Sequence, residues 1–186
     1  MAKVYLWRLL GWASLAACLF TAAFAAAADK AAPLGAPETP VLSLDQLARM
    51  SWPELECLYR EADAGTIPQG RTAGKAIYSP CSPFAGLHSR VTGALWHGKV
   101  FDNADCSLVN QWSGFRAIHA RVAYGPSCLD GKTSIVMDYG ETSLVWADVR
   151  DEVREVAPGL YLGRMYRRKK CGLEFQFFFA LQACCR

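Results

Sequence analysis

Residues 149–163 carry charged side chains at positions where a strand is expected to place apolar ones. The letters VRDEVREVAPGLYLG alternate at period two, as in a half-buried strand, and Pro158-Gly159 then turns the chain into a second strand. Asp151 falls on the same parity as Val149 and Val153, so we expect its carboxylate to lie on the apolar face. Because an unpaired carboxylate there is costly, Asp151 is predicted to be one half of a structural ion pair or part of a site.

Arginines are the candidate partners of Asp151. In the structural interpretation an internal ion-pair network satisfies its charge, and the candidates are Arg116, Arg121 and Arg150. The charged residues on the opposite parity of the same strand are expected to pair across strands on its solvated face. They are Arg150, Glu152 and Arg154.

Eight polar residues are predicted to face a cavity and bind a ligand. They are Lys99, Asn110, His119, Arg121, Asp138, Tyr139, Asp151 and Tyr161. A few polar groups that converge in an apolar wall fix the orientation of a ligand in a binding barrel. His119 and Arg121 are included because they share a parity with Phe115 and Ala117. Lys99, Arg150 and Arg154 are also candidates for holding the carboxylate or phosphate of an amphiphile.

Catalysis is an alternative use of these side chains. In this hypothesis the protein is a hydrolase or isomerase, and Asp151 or Asp138 supplies the carboxylate. His119 or Tyr161 supplies the second acid or base. No G-x-S-x-G elbow occurs, and nothing in the sequence brings His119 to an isolated serine such as Ser134.

No metal site or cofactor is predicted. C-x-x-C is absent, which argues against a thioredoxin-like redox site, and C-x-x-C-H is absent, which excludes covalent haem. The candidate zinc ligands are too far apart in the sequence for a standard structural site. They are Cys81, His88, His97 and Cys106.

Residues 1–28 have the pattern of a secretory signal peptide. Lys3 and Arg8 form a positive n-region, an apolar run follows, and Ala26-Ala27-Ala28 supplies a cleavage site. Two alternatives stay open. The letters LAAC ending at Cys18 fit a lipoprotein box, and an uncleaved run of about 20 apolar residues is long enough to span a bilayer. A cleaved signal peptide predicts a periplasmic or secreted protein. The lipoprotein and the uncleaved segment both predict membrane association outside the cytoplasm.

Cysteines that follow Ala28 predict disulfide bonds, because an exported domain folds in an oxidising compartment. They are Cys57, Cys81, Cys106, Cys128, Cys171, Cys184 and Cys185. Their number is odd, so at least one thiol is left over, and the sequence does not give the pairing.

The rest of the chain is predicted to be one domain behind a linker. Residues 29–42 are proline-containing and predict the linker, and residues 43–186 predict the domain. Capping boxes of the form S-x-x-E/Q at Ser43 and Ser51 predict two short helices before the strands. These helices span roughly 44–50 and 52–62. A net charge of +3 gives no indication of nucleic-acid binding.

Strand patterns begin near residue 70 and continue to the end of the chain. The predicted strands are about 71–79, 95–102, 106–112, 115–124, 132–139, 143–150, 151–157, 160–168 and 172–181, and in the alternative assignment 143–157 is one long bent strand. Tight connections such as Asp130-Gly131 imply antiparallel neighbours. One apolar parity of the last strand is expected to face inward, and it comprises Leu173, Phe175, Phe177, Phe179 and Leu181. About eight meandering strands predict an all-β, closed, antiparallel up-and-down barrel.

Three segments resemble a family of small bacterial proteins with no established activity. They are WHGKVF at 96–101, Asp138-Tyr139, and RDEVREVAPGLYLG at 150–163. The family carries a W-x-GK-x-F strand, a DY strand and an RDE-[IV]-R-x-V-x-PGLYLG segment, and the resemblance spans roughly residues 67–181. Its strand order looks like that of the calycins, the lipocalin group, although lipocalins carry G-x-W where this chain has Trp96-x-Gly98. The resemblance implies a pocket for a small molecule or lipid.

Together these features predict an exported, lipocalin-like barrel that binds a small apolar or amphiphilic molecule. The enzymatic alternative stays open beside it. So does an envelope structural or interaction protein, tied to a membrane or partner through Cys18, an uncleaved N-terminal segment or an unpaired cysteine.

Overall fold

The chain forms a closed antiparallel barrel in a computed structural model that describes residues 42–78 and 93–184. Each strand pairs with the next, and β8 pairs with β1, which closes the barrel. The strands are β1 Gly70–Ile77, β2 Trp96–Asp102, β3 Ser107–Trp112, β4 Phe115–Pro126, β5 Thr133–Asp138, β6 Val149–Ala157, β7 Leu160–Lys169 and β8 Gly172–Ala183. The predicted all-β up-and-down barrel of eight strands is confirmed.

Two short helices lie against the outside of the barrel. They are α1 Leu44–Leu47 and α2 Trp52–Glu61, so both end before the predicted residues 50 and 62. The backbone N–H of Ser51 donates to the carboxylate of Glu54 at 2.7 Å, as the predicted capping box requires. The helices and the outer faces of β1, β7 and β8 enclose an outer core that includes Leu47, Leu55, Tyr59, Ile77, Leu160, Leu162, Phe178 and Ala180.

The strand predicted over 143–150 is wrong. Residues 139–148 form turns and bends, and β6 begins only at Val149. A carboxylate oxygen of Asp138 accepts the N–H of Gly140 at 2.8 Å, and the carbonyl of Tyr139 accepts the N–H groups of Thr142 and Ser143. These local hydrogen bonds satisfy backbone groups that a strand would need for its ladder.

A bulge in β4 reverses the predicted orientation of its second half. Val109 pairs with His119 and Asn110 pairs with Ala117, so Ile118 is an extra residue, and its φ is 70°. Before the bulge, Ala117 pairs with the inward-facing Asn110, whereas after it the even positions Ala120 and Val122 belong to the inner core. His119 and Arg121 are therefore exposed on the outside of the barrel, and their assignment to the cavity is wrong.

A second bulge divides the aromatic row of β8. Met165 pairs with Phe177 and Tyr166 pairs with Phe175, which leaves Gln176 as the extra residue. Phe177 and the alternate residues after it pack in the inner core, whereas Phe175 packs in the outer core with the helices. The prediction that all five apolar residues of this row face inward is wrong for the part before the bulge.

The outer face of β6 is buried under α2 and the turn 127–132, so the prediction of solvated ion pairs on this face is wrong. Glu152 and Arg154 are both fully buried. Arg154 binds both carboxylate oxygens of Asp130, at 2.7 and 2.8 Å, and the backbone carbonyl of Tyr59 at 3.0 Å. Glu152 accepts hydrogen bonds from Ser127 at 2.7 Å and from the guanidinium of the half-buried Arg150 at 2.9 Å. Glu152 and Arg154 therefore hold the turn 127–132 and α2 against the barrel through hydrogen bonds and ion pairs.

Free thiols are found where disulfide bonds were expected. Cys57, Cys106, Cys128, Cys171 and Cys184 are exposed and unbridged. The predicted bridges are therefore absent among these five residues, and Cys81 and Cys185 lie outside the described residues, as do His88, the predicted signal peptide and all of the predicted linker but Leu42. Across 42–78 and 93–184, no helix is long and apolar enough to span a membrane.

Truncation of Arg154 is expected to destabilise the barrel strongly. Arg154→Ala would leave Asp130 and the carbonyl groups that the guanidinium binds without their partner, so we expect the free energy of unfolding to fall by about 3–5 kcal/mol. Arg60→Ala is the control, because Arg60 and Glu56 form an exposed pair, and such a pair contributes about 0–1 kcal/mol. Urea unfolding of both variants measures the difference. Equal losses would show that the β6 network is not buried as described.

Candidate functional site

Four of the eight predicted residues meet inside the barrel. Lys99 of β2, Asn110 of β3, Asp151 of β6 and Tyr139, which follows β5, form a hydrogen-bonded group that we call the inner cluster. The ammonium of Lys99 donates to the Asn110 carbonyl oxygen at 2.9 Å, to the Tyr139 hydroxyl at 2.6 Å and to Asp151 Oδ2 at 2.9 Å. Asp151 is thus buried and paired as predicted, but its partner is Lys99 and none of the three candidate arginines.

Hydrogen bonding within the inner cluster is almost complete. The three protons of Lys99 are all used. The Tyr139 hydroxyl accepts from Lys99 and from the Asn110 amide nitrogen at 3.1 Å, and donates to Asp151 Oδ2 at 3.1 Å. The amide orientation of Asn110 follows from the same bonds, because the other orientation would set its NH₂ against the Lys99 ammonium.

One oxygen of the inner cluster is left over. Asp151 Oδ1 is buried and has no hydrogen-bond partner among the described residues. The side chain of Asp151 is 5% exposed, so bulk water does not solvate this oxygen freely. A buried carboxylate oxygen without a partner is costly, and its presence calls for a reason beyond packing.

The W-x-GK-x-F motif places Trp96, Lys99 and Phe101 inside the barrel, and its strand has a bulge at His97. Trp96 pairs with Trp112 and Gly98 with Gln111, so Trp96 and Lys99 point inward although three positions separate them. Gly98 has a φ of 129°, and a Cβ at this position would collide with the carbonyl oxygen of Thr72 on β1. Any larger residue would push β2 away from β1 and displace Lys99.

Gly163 in the PGLYLG segment makes room for an aromatic ring. Phe179 pairs with Gly163 across β7 and β8, and its ring occupies the space that a Cβ would fill. The ring centroid lies 5.4 Å from the ammonium of Lys99, and the Trp96 and Tyr139 centroids lie at 5.5 and 5.3 Å. Three aromatic rings thus surround the buried cation. Their faces stabilise its charge in place of water.

The bulge in β4 also supports the inner cluster. It turns the carbonyl of Ile118 toward the barrel interior, where it accepts the Asn110 amide N–H at 3.0 Å. The indole N–H of Trp96 donates to the carbonyl oxygen of Asn110 at 3.1 Å. Asn110 is thereby held on both sides, and its oxygen stays directed at Lys99.

A cavity of about 240 Å³ lies at the end of the barrel where β1 and β3 end and β2 and β4 begin. Its polar base is formed by Lys99, Asn110 and Asp151 of the inner cluster. The other half of the barrel interior is filled by residues such as Phe101, Leu108 and Val153. The aromatic part of the cavity wall consists of Tyr78, Trp96, Trp112, Trp146, Phe177 and Phe179.

The electrostatics of the inner cluster favour binding over nucleophilic chemistry. Burial lowers the pKa of Lys99, and the adjacent Asp151 opposes this shift. A nucleophilic lysine needs a free lone pair, whereas all three protons of this ammonium are held by acceptors. Burial raises the pKa of Tyr139 well above its usual value, so its hydroxyl stays protonated. The one acceptor of the inner cluster without a partner among the described residues is Asp151 Oδ1.

The other predicted site residues lie elsewhere. Asp138 forms an ion pair with Arg168 at 2.6 Å, and the hydroxyl of Tyr161 donates to the carbonyl of Thr66 at 2.6 Å. His119 is exposed on the outer face. No hydrogen bond among the described residues joins either aspartate to His119 or Tyr161, so the acid–base pairs of the enzymatic alternative are not assembled.

The tryptophans of the cavity wall were missed by sequence reasoning, which considered polar side chains. Trp112 could have been found, because it lies two residues beyond Asn110 on the same strand and so shares its face. Trp146 had no such signal, since it belongs to the irregular segment 139–148. Within the described part of the chain, no group of three or more acidic, histidine or cysteine side chains is placed to hold a metal ion.

Comparisons with known proteins identify no family for this chain. No family model matches it, and no curated protein does. A solved structure described as the crystal structure of a protein from Thermomonospora curvata is similar, with a TM-score of 0.48 and 15% sequence identity. The match covers 73% of this chain and 89% of that chain.

Removal of the Asp151 carboxylate is expected to destabilise the barrel. Asp151→Ala leaves the Lys99 ammonium buried without its counter-ion, so we expect a loss of about 3–5 kcal/mol in the free energy of unfolding. The double variant Lys99→Met, Asp151→Leu removes both charges and should recover most of this loss. Urea unfolding measures both, with Asp138→Ala as the control because Asp138 forms a half-exposed pair. A loss below about 0.5 kcal/mol for Asp151→Ala would place this carboxylate in solvent.

Alkaline pH is expected to destabilise the barrel through its buried tyrosines. Burial raises the pKa of Tyr161 and Tyr166 to about 12, against 10.0 for an ordinary tyrosine. Between these values the unfolded chain releases phenolic protons that the folded chain keeps. The free energy of unfolding then falls as the pH rises, by ~1.4 kcal/mol per pH unit for each fully ionising phenol.

Unfolding in urea between about pH 9 and about pH 11 tests this pH dependence. Tyr161→Phe removes one of the titrating groups and should make the decline shallower. Arg60→Ala is the control, because it removes an exposed side chain and no phenol. Equal slopes for the wild type and Tyr161→Phe would contradict the expectation.

Proposed function

We propose that this protein is a binding barrel that holds a compact, mostly apolar molecule at one end of the barrel. The observation that carries the proposal is the cavity of about 240 Å³, which combines an aromatic wall with an unpartnered carboxylate oxygen at its base. Pockets of this kind use the apolar wall for affinity and the few polar groups for orientation.

The size of the cavity supports a compact ligand. Small-molecule sites span roughly 300–1,000 Å³, so this cavity lies below the lower end of that range. An extended acyl chain would need the second half of the barrel interior, where Phe101, Leu108 and Val153 are buried and packed. A small amphiphile or apolar ring is therefore favoured over a long-chain lipid.

The position of the positive charges does not support an anionic head group. Arg154 lies on the outer side of β6 and binds Asp130, while the ammonium of Lys99 is fully used inside. Arg167 lines the cavity but is paired with Asp148 at 2.8 Å. Among the described residues that line the cavity, no uncommitted cation is available to balance an anion beside the Asp151 carboxylate.

We also propose that the barrel is exported from the cytoplasm. The signal-peptide pattern of residues 1–28 supports a barrel in the periplasm or in the medium. The alternative lipid attachment at Cys18 would keep the same barrel at a membrane surface, with its cavity open to small molecules outside the cytoplasm.

A cavity-filling variant tests the proposed function. Ala76 lies in the cavity wall and is 6% exposed, so Ala76→Phe places a ring in the ligand space. Titration with 4-methylanisole, followed by tryptophan fluorescence and calorimetry, should show binding to the wild type and at least about tenfold weaker binding to Ala76→Phe. Ala73→Phe is the matched control, since Ala73 is exposed on the same strand. No binding to the wild type, or equal binding to both variants, would contradict the proposal.

A further inference from the structure

The inner cluster keeps one acceptor, and no donor, without a partner among the described residues. Lys99 and Tyr139 have their protons directed at protein acceptors, and the Asn110 amide N–H groups bind Ile118 and Tyr139. Asp151 lines the cavity, and its Oδ1 is the one buried oxygen of the cluster without a partner among the described residues. A molecule that satisfies the cluster must therefore bring an N–H or O–H group of its own.

Charge narrows the choice of ligand. The two charges of the cluster, on Lys99 and Asp151, already cancel across 2.9 Å. A cationic ligand that bound Asp151 Oδ1 would come close to the Lys99 ammonium, and an anionic ligand would face the Asp151 carboxylate, both in a site screened from water. A neutral donor avoids both repulsions.

The wall of the cavity restricts the choice of ligand further. Trp112 and Trp146 meet edge to face with centroids 5.9 Å apart, and Trp96 and Phe179 meet edge to face at 6.1 Å. Such walls offer ring faces and edges to a planar guest, which gains dispersion and quadrupole contacts that an aliphatic chain does not. Among the described residues that line the cavity, the indole Nε1 of Trp112 is a second buried polar atom without a partner, and it is a donor.

We infer that the ligand is a neutral aromatic molecule of one or two rings whose O–H or N–H group donates to Asp151 Oδ1. This assignment of the ligand class rests on the proposed function and deepens it. A phenol or an indole has the required shape, charge and donor. A phenolic oxygen can in addition accept a hydrogen bond, as the unpartnered indole N–H of Trp112 requires.

Matched pairs of ligands test the donor without altering the protein. Indole and 1-methylindole differ at the N–H, and 4-methylphenol and 4-methylanisole differ at the O–H. Calorimetric titration of the full-length chain should give at least about tenfold tighter binding for the donor in each pair, which is the effect of one hydrogen bond to a charged acceptor. Benzylammonium and benzoate should each bind at least about tenfold more weakly than 4-methylphenol.

The outcomes separate the ligand class from the proposed function. Equal affinities within each pair would overturn the donor, while binding of 1-methylindole would leave the pocket itself supported. Tighter binding of benzylammonium or benzoate would overturn neutrality, and tighter binding of 1-hexanol than of 4-methylphenol would overturn the aromatic class. Binding of none of these compounds would overturn the proposed function as well.

A variant links the donor preference to Asp151. Asp151→Asn replaces the carboxylate by a weaker, neutral acceptor of the same shape and should reduce the preference for indole over 1-methylindole to about twofold or less. Asp138→Asn is the control, because Asp138 is paired with Arg168 and is not part of the cavity wall. An unchanged preference in a folded Asp151→Asn protein would place the donor elsewhere. If this variant does not fold, the ligand pairs on the wild type decide.

Discussion

The ion pair of Lys99 and Asp151 determines what the inside of this barrel can be. Each charge is almost completely removed from water, at a desolvation cost of several kcal/mol. The attraction between the two charges, 2.9 Å apart, offsets this cost only when further hydrogen bonds satisfy both groups. Asn110 and Tyr139 accept the other two hydrogen bonds of the Lys99 ammonium, and three aromatic rings surround it. The same pair leaves Asp151 Oδ1 buried without a partner among the described residues, and such an oxygen is costly. Lys99 and Asp151 also supply part of the polar base of the cavity.

Local irregularities of the strands decide which side chains reach this interior, and they explain which predictions hold. The inward orientation of Asp151 could be predicted because β6 is regular from Val149 to Glu155, so alternation is preserved. His119 was misplaced because Ile118 adds one residue to β4, and every side chain after a bulge changes face. Ile118 is β-branched and holds a positive φ, which its residue type does not announce. Gln176 has the same effect in β8, again without a glycine to mark it.

The partner of Asp151 was beyond sequence reasoning for a different reason. Lys99 and Asp151 lie on β2 and β6, which are not neighbours in the sheet, and they meet only because the barrel closes and turns their shared face inward. Pairing rules for adjacent strands therefore could not find them. The burial of Arg154 was hidden likewise, since the helices that cover it come from residues 44–61, far along the chain. Element types and strand order follow from local pattern, whereas contacts across the barrel require its closure.

Strand β6 thus carries buried charges on both faces, and the two faces differ in one respect that separates structure from function. On the outer face, every N–H of the Arg154 guanidinium has an acceptor: Asp130, the hydroxyl of Ser134, or a backbone carbonyl. Nothing is left to offer, so this charge serves to hold the turn and α2 in place. On the inner face, the hydrogen bonds are equally short, but Asp151, which lines a cavity, keeps one buried oxygen, Oδ1, without a partner among the described residues. A purely structural pair gains nothing from an unsatisfied oxygen, whereas a binding site gains a fixed acceptor whose satisfaction adds to the affinity for the ligand. This difference in hydrogen-bond satisfaction is why we propose the inner cluster, and not the outer one, as the functional site.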